Sequence, residues 1–161
     1  TSVIPTQSSC PKGYWCTAGL QVACKEGFYN DLIDQTDQRS CKACPENAIT
    51  NGTASTSIDD CVCKGGFITA PSENQTFACL CPAGTGLVGI SGAQSCLACA
   101  LGSYKSHDGN EKCNDCESGR TTMETGSLTQ GACVCVKGLF LDVDGECKEC
   151  PLIKTECPAK G

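Results

Sequence analysis

The sequence predicts a small disulfide-rich fold, made mainly of short β-hairpins and loops and arranged as an elongated tandem-repeat ladder with little or no helix. The chain of 161 residues contains 18 cysteines but only 5% aromatic residues. It therefore lacks the large apolar side chains that fill the core of a domain of this length. Glycine and proline interrupt every segment, and no segment keeps a helical apolar period. Disulfides are expected to take over from a core.

The cysteines alternate between two kinds when they are numbered along the chain. Eight of the odd-numbered cysteines are followed, three residues later, by a residue that adopts positive φ at low cost. These residues are Gly13, Gly27, Asn47, Gly66, Gly84, Gly102, Gly119 and Gly138. Most even-numbered cysteines lack this mark because another cysteine follows within one or two residues. We infer that odd cysteines open a loop, that even cysteines close it, and that each marked position is a left-handed turn residue.

Sequential pairing is the simplest connectivity that fits this alternation. The predicted disulfides are Cys10–Cys16, Cys24–Cys41, Cys44–Cys61, Cys63–Cys79, Cys81–Cys96, Cys99–Cys113, Cys116–Cys133, Cys135–Cys147 and Cys150–Cys157. Spacing alone does not determine connectivity. Two alternatives stay open here: crossed pairing of Cys41–Cys61 with Cys44–Cys63, and an N-terminal pair Cys10–Cys24.

The openings also alternate in the residues that follow the glycine. Some carry an aromatic residue, which we expect to pack on the neighbouring disulfide: Phe28, Phe67, Tyr104 and Phe140. The others carry small or threonine-rich sequence, so two segments form one repeat. We divide the chain into an extended N-terminal arm (1–9), cysteine-rich repeat unit 1 (10–80), unit 2 (81–149) and the start of a third, truncated unit (150–161). Repeats of this kind contact only their neighbours.

Composition indicates the compartment and excludes several classes of partner. Disulfides at this density form in the secretory pathway, so the chain is expected outside the cell or at the cell surface. Two sequons predict N-glycosylation at Asn51 and Asn74. The net charge of −6 leaves no basic face for a nucleic acid. No apolar run approaches the length of a membrane span, so no direct membrane insertion is expected.

No motif in the chain predicts catalysis or a bound metal. A zinc tetrathiolate at Cys41, Cys44, Cys61 and Cys63 has plausible spacing, but the sequons and the other cysteines argue against it. The segment Asp142-Val143-Asp144-Gly145-Glu146 lacks the later ligands of a calcium loop. The single histidine, His107, lies in a polar turn. We predict no enzyme activity and no cofactor other than N-linked glycans.

Several segments carry a recognisable family pattern. A cysteine with Gly at +3, an aromatic residue, a CxxC and a closing CxC occur in CKEGFY…CKACPENAIT…CVCKGGF and again in CALGSY…CNDCESGRTT…CVCVKGLF. The pattern resembles the ephrin-receptor-like or growth-factor-receptor cysteine-rich repeat over about residues 10–150. It is similar, more loosely, to EGF-like and tumour necrosis factor receptor repeats. The resemblance implies modules that form rods in receptor ectodomains and large surface proteins.

Two functions are compatible with this sequence. The first is a non-enzymatic structural or adhesive glycoprotein segment, either a rod from a large surface protein or a subunit of an extracellular filament. Its partners would be proteins, namely further copies in a head-to-tail polymer or neighbouring repeats. The alternative is a receptor-type ectodomain that binds a protein ligand. For that function Tyr14 and Trp15 are the candidate contact anchor, since exposed tyrosine and tryptophan often contribute most to binding.

Overall fold

The computed structural model describes residues 9–70 and 77–150, and this part of the chain is built from short β-strands. Within residues 9–70 and 77–150, sixteen strands form eight two-stranded sheets. In chain order these are β1 (Tyr14–Thr17) with β2 (Leu20–Ala23), β3 (Phe28–Tyr29) with β4 (Lys42–Ala43), β5 (Ala48–Thr50) with β6 (Cys61–Cys63), β7 (Ile68–Thr69) with β8 (Cys79–Leu80), β9 (Thr85–Val88) with β10 (Ser95–Ala98), β11 (Ser103–Tyr104) with β12 (Asn114–Asp115), β13 (Arg120–Thr122) with β14 (Cys133–Cys135), and β15 (Leu139–Leu141) with β16 (Cys147–Glu149).

Helical structure in the described residues is limited to three 3₁₀ turns of three residues each. They lie at Gln38–Ser40, Ile58–Asp60 and Gln130–Ala132. The strand pairs whose register is described are antiparallel. The predicted class, a small disulfide-rich fold of β-hairpins, is confirmed.

The chain divides into two compact units, an N-terminal unit (Thr1–Cys79) and a C-terminal unit (Leu80–Gly161). Each unit contains the same backbone framework. In the N-terminal unit the Gly13 N–H donates to the Asn30 carbonyl over 2.9 Å, and in the C-terminal unit the Gly84 N–H donates to the Lys105 carbonyl over 2.8 Å. The two units are therefore two copies of one structural repeat.

A second pair of equivalent bonds closes each copy. The Ala54 N–H donates to the Cys24 carbonyl over 2.8 Å, and the Gly126 N–H donates to the Cys99 carbonyl over 2.7 Å. In each copy this bond joins the loop after the fifth strand of the unit, β5 or β13, to the cysteine that opens the second hairpin. The loop is thereby held by main-chain atoms, independently of its side chains.

The positions three residues after the opening cysteines are left-handed, as the sequence predicts. All eight have φ between 62° and 96°: Gly13, Gly27, Asn47, Gly66, Gly84, Gly102, Gly119 and Gly138. At two of them the backbone also approaches another segment closely. A Cβ placed on Gly13 would lie 2.2 Å from the Ala54 carbonyl oxygen, and one on Gly84 would lie 2.5 Å from the Gly126 carbonyl oxygen.

The buried apolar side chains of the described residues are almost all cystine. They are Cys10, Cys24, Cys61, Cys79, Cys81, Cys99, Cys133 and Phe67. Of the four aromatic residues expected to form cores, only Phe67 is buried, and the other three are half-buried. The fully buried positions after Tyr29 and Tyr104 are instead polar, because Asn30 and Lys105 occupy them.

Substitution of Gly84 separates the effect of backbone conformation from that of packing. Gly84→Ala places a side chain at φ +77° and against the Gly126 carbonyl, whereas Gly138→Ala places one at φ +96° with no atom within 4 Å. We expect Gly138→Ala to lower the free energy of unfolding by about 1–2 kcal/mol from conformation alone. Gly84→Ala should cost about 1–3 kcal/mol more from overpacking. Denaturant titration of both variants measures the difference, and equal losses would contradict the packing role.

Candidate functional site

Disulfides link consecutive segments of the chain in sequential order. The eight bonds between described residues are Cys10–Cys16, Cys24–Cys41, Cys44–Cys61, Cys63–Cys79, Cys81–Cys96, Cys99–Cys113, Cys116–Cys133 and Cys135–Cys147. Their Cα–Cα distances of 5.3–5.9 Å lie in the usual range for disulfides. Cys150 is also disulfide-bonded. Its predicted partner, Cys157, lies outside the described residues.

These bonds decide how the CxxC…CxC cysteines are used. Cys41 is bonded to Cys24, and Cys44 is bonded to Cys61. Cys63 is bonded to Cys79. Neither the crossed pairing nor the N-terminal pair Cys10–Cys24 occurs, and none of the four cysteines carries a thiolate that could bind zinc.

The first disulfide of each unit differs in the strand that supplies its second cysteine. In the N-terminal unit Cys16 lies on β1, directly opposite Gln21 of β2. In the C-terminal unit the residue equivalent to Cys16 is Leu87, and the cysteine is the residue opposite it, Cys96. The side chains of two residues that lie directly opposite each other across a strand pair share one face of the hairpin. The Cys10–Cys16 loop is short because its second cysteine lies on the first strand of the hairpin. The second cysteine of Cys81–Cys96 lies on the second strand, at the opposite position.

Asn30 ties three segments of the N-terminal unit together from a fully buried position. Its side-chain Nδ2 donates to the Tyr14 carbonyl over 2.7 Å, and its Oδ1 accepts from the Leu32 N–H. Its backbone N–H donates to the Ser55 carbonyl over 2.9 Å. Buried polar groups must be hydrogen-bonded, and here they satisfy backbone groups that no regular sheet covers.

Lys105 takes the position of Asn30 in the C-terminal unit and has no exposed surface. Its Nζ donates to the Thr85 carbonyl over 3.0 Å and to the carbonyls of Cys81 and Gly109. Nζ also lies 3.3 Å from the Glu111 carboxylate. Thr85 is the residue equivalent to Tyr14, so the buried side chain contacts the same strand carbonyl in both copies.

Glu111 balances the charge of the buried ammonium group. Partial burial raises the pKa of Glu111, but hydrogen bonds from its own backbone N–H and from Lys105 outweigh burial and leave the pKa below its ordinary value. His107 Nε2 lies 3.2 Å from the same carboxylate, and the His107 side chain is largely exposed. The single histidine thus belongs to the solvent side of a structural ion pair. Sequence reasoning missed this cluster because a lysine in a polar turn has no signal of burial.

The residues predicted for glycosylation and contact are only partly within the described residues. Asn51 is exposed, one residue beyond the end of β5, and Asn74 lies outside the described residues. Tyr14 and Trp15 are adjacent on β1 and half-buried. Successive side chains of a strand point to opposite faces, so the two cannot act as one patch. Glycosylation and the contact anchor both stay predictions.

The acidic segment of residues 142–146 forms the turn between β15 and β16. One oxygen of Asp142, Oδ1, accepts from the backbone N–H groups of Asp144 and Glu146, and its carboxylate pairs with Lys148. The carboxylate therefore closes a turn. No cluster of three or more potential metal ligands occurs among the described residues.

Replacement of Lys105 tests its structural role. Lys105→Met keeps the aliphatic stem but leaves three carbonyls and the Glu111 carboxylate without their donor. We expect the free energy of unfolding of the C-terminal unit to fall by about 3 kcal/mol. Amide hydrogen exchange measures the effect, with the N-terminal unit as an internal reference. Lys112→Met, at an exposed lysine, is the control, and an equal effect of both variants would contradict the role.

The stability of the β15–β16 hairpin should depend on pH through Asp142 and Lys148. The hydrogen bond from Lys148 and that from the Glu146 N–H lower the pKa of Asp142 below its ordinary 3.8. The same hydrogen bond raises the pKa of Lys148 above 10.5. The pair therefore stabilises the turn fully between these ordinary values. Its contribution is lost as pH falls through the lowered pKa of Asp142 or rises through the raised pKa of Lys148.

Nuclear magnetic resonance titration of the Asp142 carboxyl carbon checks this pH dependence. Lys148→Met should move the pKa of Asp142 upward, toward its ordinary value. If the substitution leaves the Asp142 titration unchanged, the ion pair does not form in solution.

No helix among the described residues is long and apolar enough to cross a membrane. The similar proteins are much longer than this chain. The chain is 28% identical to "Cysteine repeat modular protein A" of Toxoplasma gondii over 98% of its own length, which is 5% of that protein. It is 28% identical to "Sushi, von Willebrand factor type A, EGF and pentraxin domain-containing protein 1" of Rattus norvegicus over 78% of the chain and 3% of that protein. It is 34% identical to "Thyroglobulin" of Mus musculus over 52% of the chain and 3% of that protein.

One family model matches the chain twice, over residues 13–61 and 84–133. The two matches begin at the equivalent glycines, Gly13 and Gly84, and end at the equivalent cysteines, Cys61 and Cys133. Together they cover more than half of the chain, and one match falls within each of the two units. The density of disulfides places such repeats outside the cell. This chain is an extracellular cysteine-rich segment that belongs to the tyrosine-protein kinase ephrin type A/B receptor-like family.

Proposed function

We propose that this chain is a non-enzymatic structural or adhesive segment of an extracellular glycoprotein, either a rod from a large surface protein or a subunit of an extracellular filament. One observation carries the proposal: the two units repeat their main-chain framework but not their surface. The backbone hydrogen bonds donated by Gly13 and Gly84 differ in length by only 0.1 Å. On the surface, by contrast, Asn51 of one unit corresponds to Met123 of the other. In tandem-repeat proteins each repeat contacts only its neighbours, so a repeated framework extends the chain module by module.

The relatives support a role within a larger assembly of modules. The chain spans 3–5% of the lengths of the relatives it matches, and the names of two of them describe modular or multi-domain proteins. We infer that this segment acts together with neighbouring repeats, which are its first expected protein partners. A further copy of the chain is the second expected partner, in a head-to-tail arrangement.

Self-association of the glycosylated chain tests the filament form of this proposal. Sedimentation velocity over a wide concentration range should show assemblies that grow with concentration, and electron microscopy should show rods or fibres. Reduction of the disulfides should abolish both, because two-residue strands are not stable without cross-links. Sedimentation as a monomer at every concentration, with a compact particle in small-angle scattering, would rule out the filament.

A specific difference between the units favours a second candidate, a receptor-type ectodomain that binds a protein ligand. The position of Trp15 in the N-terminal unit is held by Gly86 in the C-terminal unit. A Cβ on Gly86 would lie 2.9 Å from the Cys113 backbone nitrogen, so this unit has no room for a side chain there. The framework therefore does not require the indole, and ligand binding would explain its presence.

Substitution of Trp15 tests the receptor alternative. In a screen against extracellular ectodomains, Trp15→Ala should weaken binding of a specific ligand at least tenfold, as expected for a hot-spot tryptophan. Leu20→Ala is the matched control, because Leu20 is an exposed apolar residue of the same hairpin. If Trp15→Ala leaves the affinity of every ligand unchanged, Trp15 is not the anchor.

A further inference from the structure

A shallow concavity lies beside the hairpin of β5 and β6 in the N-terminal unit. Residues 51–55 form one wall, and Asp59, Asp60 and Val62 form the other. Its volume of about 460 Å³ is within the range of small-ligand sites. We propose that this concavity is an intramolecular carbohydrate site, in which the first N-acetylglucosamine residues of an N-linked glycan on Asn51 are seated. The proposal rests on the glycosylation of Asn51, which is part of the proposed glycoprotein function.

The sequon delivers a glycan to this concavity by its place on the hairpin. Ile49 and Val62 are directly opposite each other, so their side chains share one face. Asn51 follows the last residue of β5 directly and lines the concavity together with Val62. Asn51 and Thr53 are both exposed, so the acceptor amide and the hydroxyl of the sequon are accessible.

The wall that carries the sequon is fixed before any sugar binds. The buried Thr50 donates from its Oγ1 to the Gly52 carbonyl over 2.9 Å. The Ala54 N–H donates to Cys24, and the Ser55 carbonyl accepts from Asn30, over 2.8 and 2.9 Å respectively. A wall held at three points loses little conformational entropy when a ligand seats against it.

The opposite wall has the groups that recognise a pyranose. Val62 is 39% exposed and offers an apolar surface to the acetyl methyl group or the C–H face of the sugar. Oδ2 of Asp60 accepts hydrogen bonds from the backbone N–H groups of Thr56 and Ser57. Oδ2 of Asp59 accepts a hydrogen bond from the Ser57 hydroxyl. Within the described part of the chain this leaves Oδ1 of each carboxylate for sugar hydroxyls, which are hydrogen-bond donors.

The C-terminal unit provides an internal comparison at the same positions. Where the N-terminal unit has Asn51, Asp59 and Asp60, the C-terminal unit has Met123, Gly131 and Ala132, while a valine follows the cysteine in both. The 3₁₀ turn at Gln130–Ala132 forms without any side-chain cap, so this turn does not need the carboxylates. Asp60 caps the equivalent turn of the N-terminal unit, and both carboxylates occur in the unit that has the sequon.

Attachment of the glycan follows a balanced transfer. The Asn51 Nδ2 attacks the anomeric carbon of an oligosaccharyl diphosphate lipid and forms the N–C bond. The bond from the anomeric carbon to the diphosphate oxygen breaks, and the diphosphate leaves with the electron pair. The amide loses one proton to a base of the transferase.

The experiment uses the full chain secreted from a glycosylating cell line with ¹³C-methyl valine, with the glycans then trimmed by an endoglycosidase to one N-acetylglucosamine. Intact mass spectrometry first establishes occupancy of Asn51. Nuclear Overhauser contacts are then expected between the sugar acetyl group and the Val62 methyl groups, and none to Val134, the matched valine of the C-terminal unit. Asn51→Gln should shift the Val62 methyl signals and leave those of Val134 in place.

The second part of the test is a double-mutant cycle of melting temperatures with Asp59→Ala and Asn51→Gln. Asp59→Ala should remove at least half of the increase in melting temperature that the glycan confers, and should change little in the Asn51→Gln background. Equal effects of Asp59→Ala in both backgrounds, or an occupied Asn51 without contacts to Val62, would overturn the seating of the sugar. An unoccupied Asn51 would overturn the proposal at attachment. Neither result depends on self-association, so the structural role is judged separately.

Discussion

The disulfide between the start of a hairpin and its second strand is the constraint on which the rest of this fold depends. Cys24, Cys44, Cys63, Cys99, Cys116 and Cys135 each precede a hairpin, and each is bonded on or beside its second strand. Two-stranded hairpins this short are not stable alone in water. A disulfide that closes a loop of about 15 residues contributes roughly 3 kcal/mol, mainly by restricting the unfolded chain. The cross-links thus stabilise the strands, and cysteines account for seven of the eight buried apolar residues in the described part of the chain.

Cross-links alone would leave many backbone groups without hydrogen-bond partners, because more of the described residues lie in loops than in strands. The buried polar side chains meet that need at one equivalent position in each unit. Asn30 does so with an amide, whereas Lys105 does so with an ammonium group balanced by Glu111. The shared element is the geometry of donor and carbonyl rather than the residue type. A charged and a neutral side chain can therefore replace each other only where the surrounding loop supplies the counter-charge.

The features that the sequence predicted are those fixed by local chemistry. Positive φ at Gly13 or Asn47 follows from the residue and its place after an opening cysteine. Burial of Lys105 could not be predicted, because its partners come from separate loops and the residue itself is typical of a surface. The correspondence between Cys16 of one unit and Cys96 of the other could not be predicted either. It depends on the strand register, which shows that the two cysteines occupy opposite positions of equivalent hairpins. At the sequon, Asn51 was predicted as an acceptor, but the facing carboxylates of Asp59 and Asp60 appear only in three dimensions.

The differences between the two units show which parts of the repeat are free to vary. The Cys24–Cys41 bond spans 17 residues and the equivalent Cys99–Cys113 bond spans 14. With the shorter loop, the Cys113 backbone and sulfur approach the chain so closely that only Gly86 fits, whereas the unit with the longer loop has Trp15 at that position. In these two units the shorter disulfide loop occurs with glycine at this position and the longer loop with tryptophan. Since loop closure costs little more for three extra residues, the repeat can change its surface at small cost to its framework, and recognition by this chain should be sought where the loops differ in length.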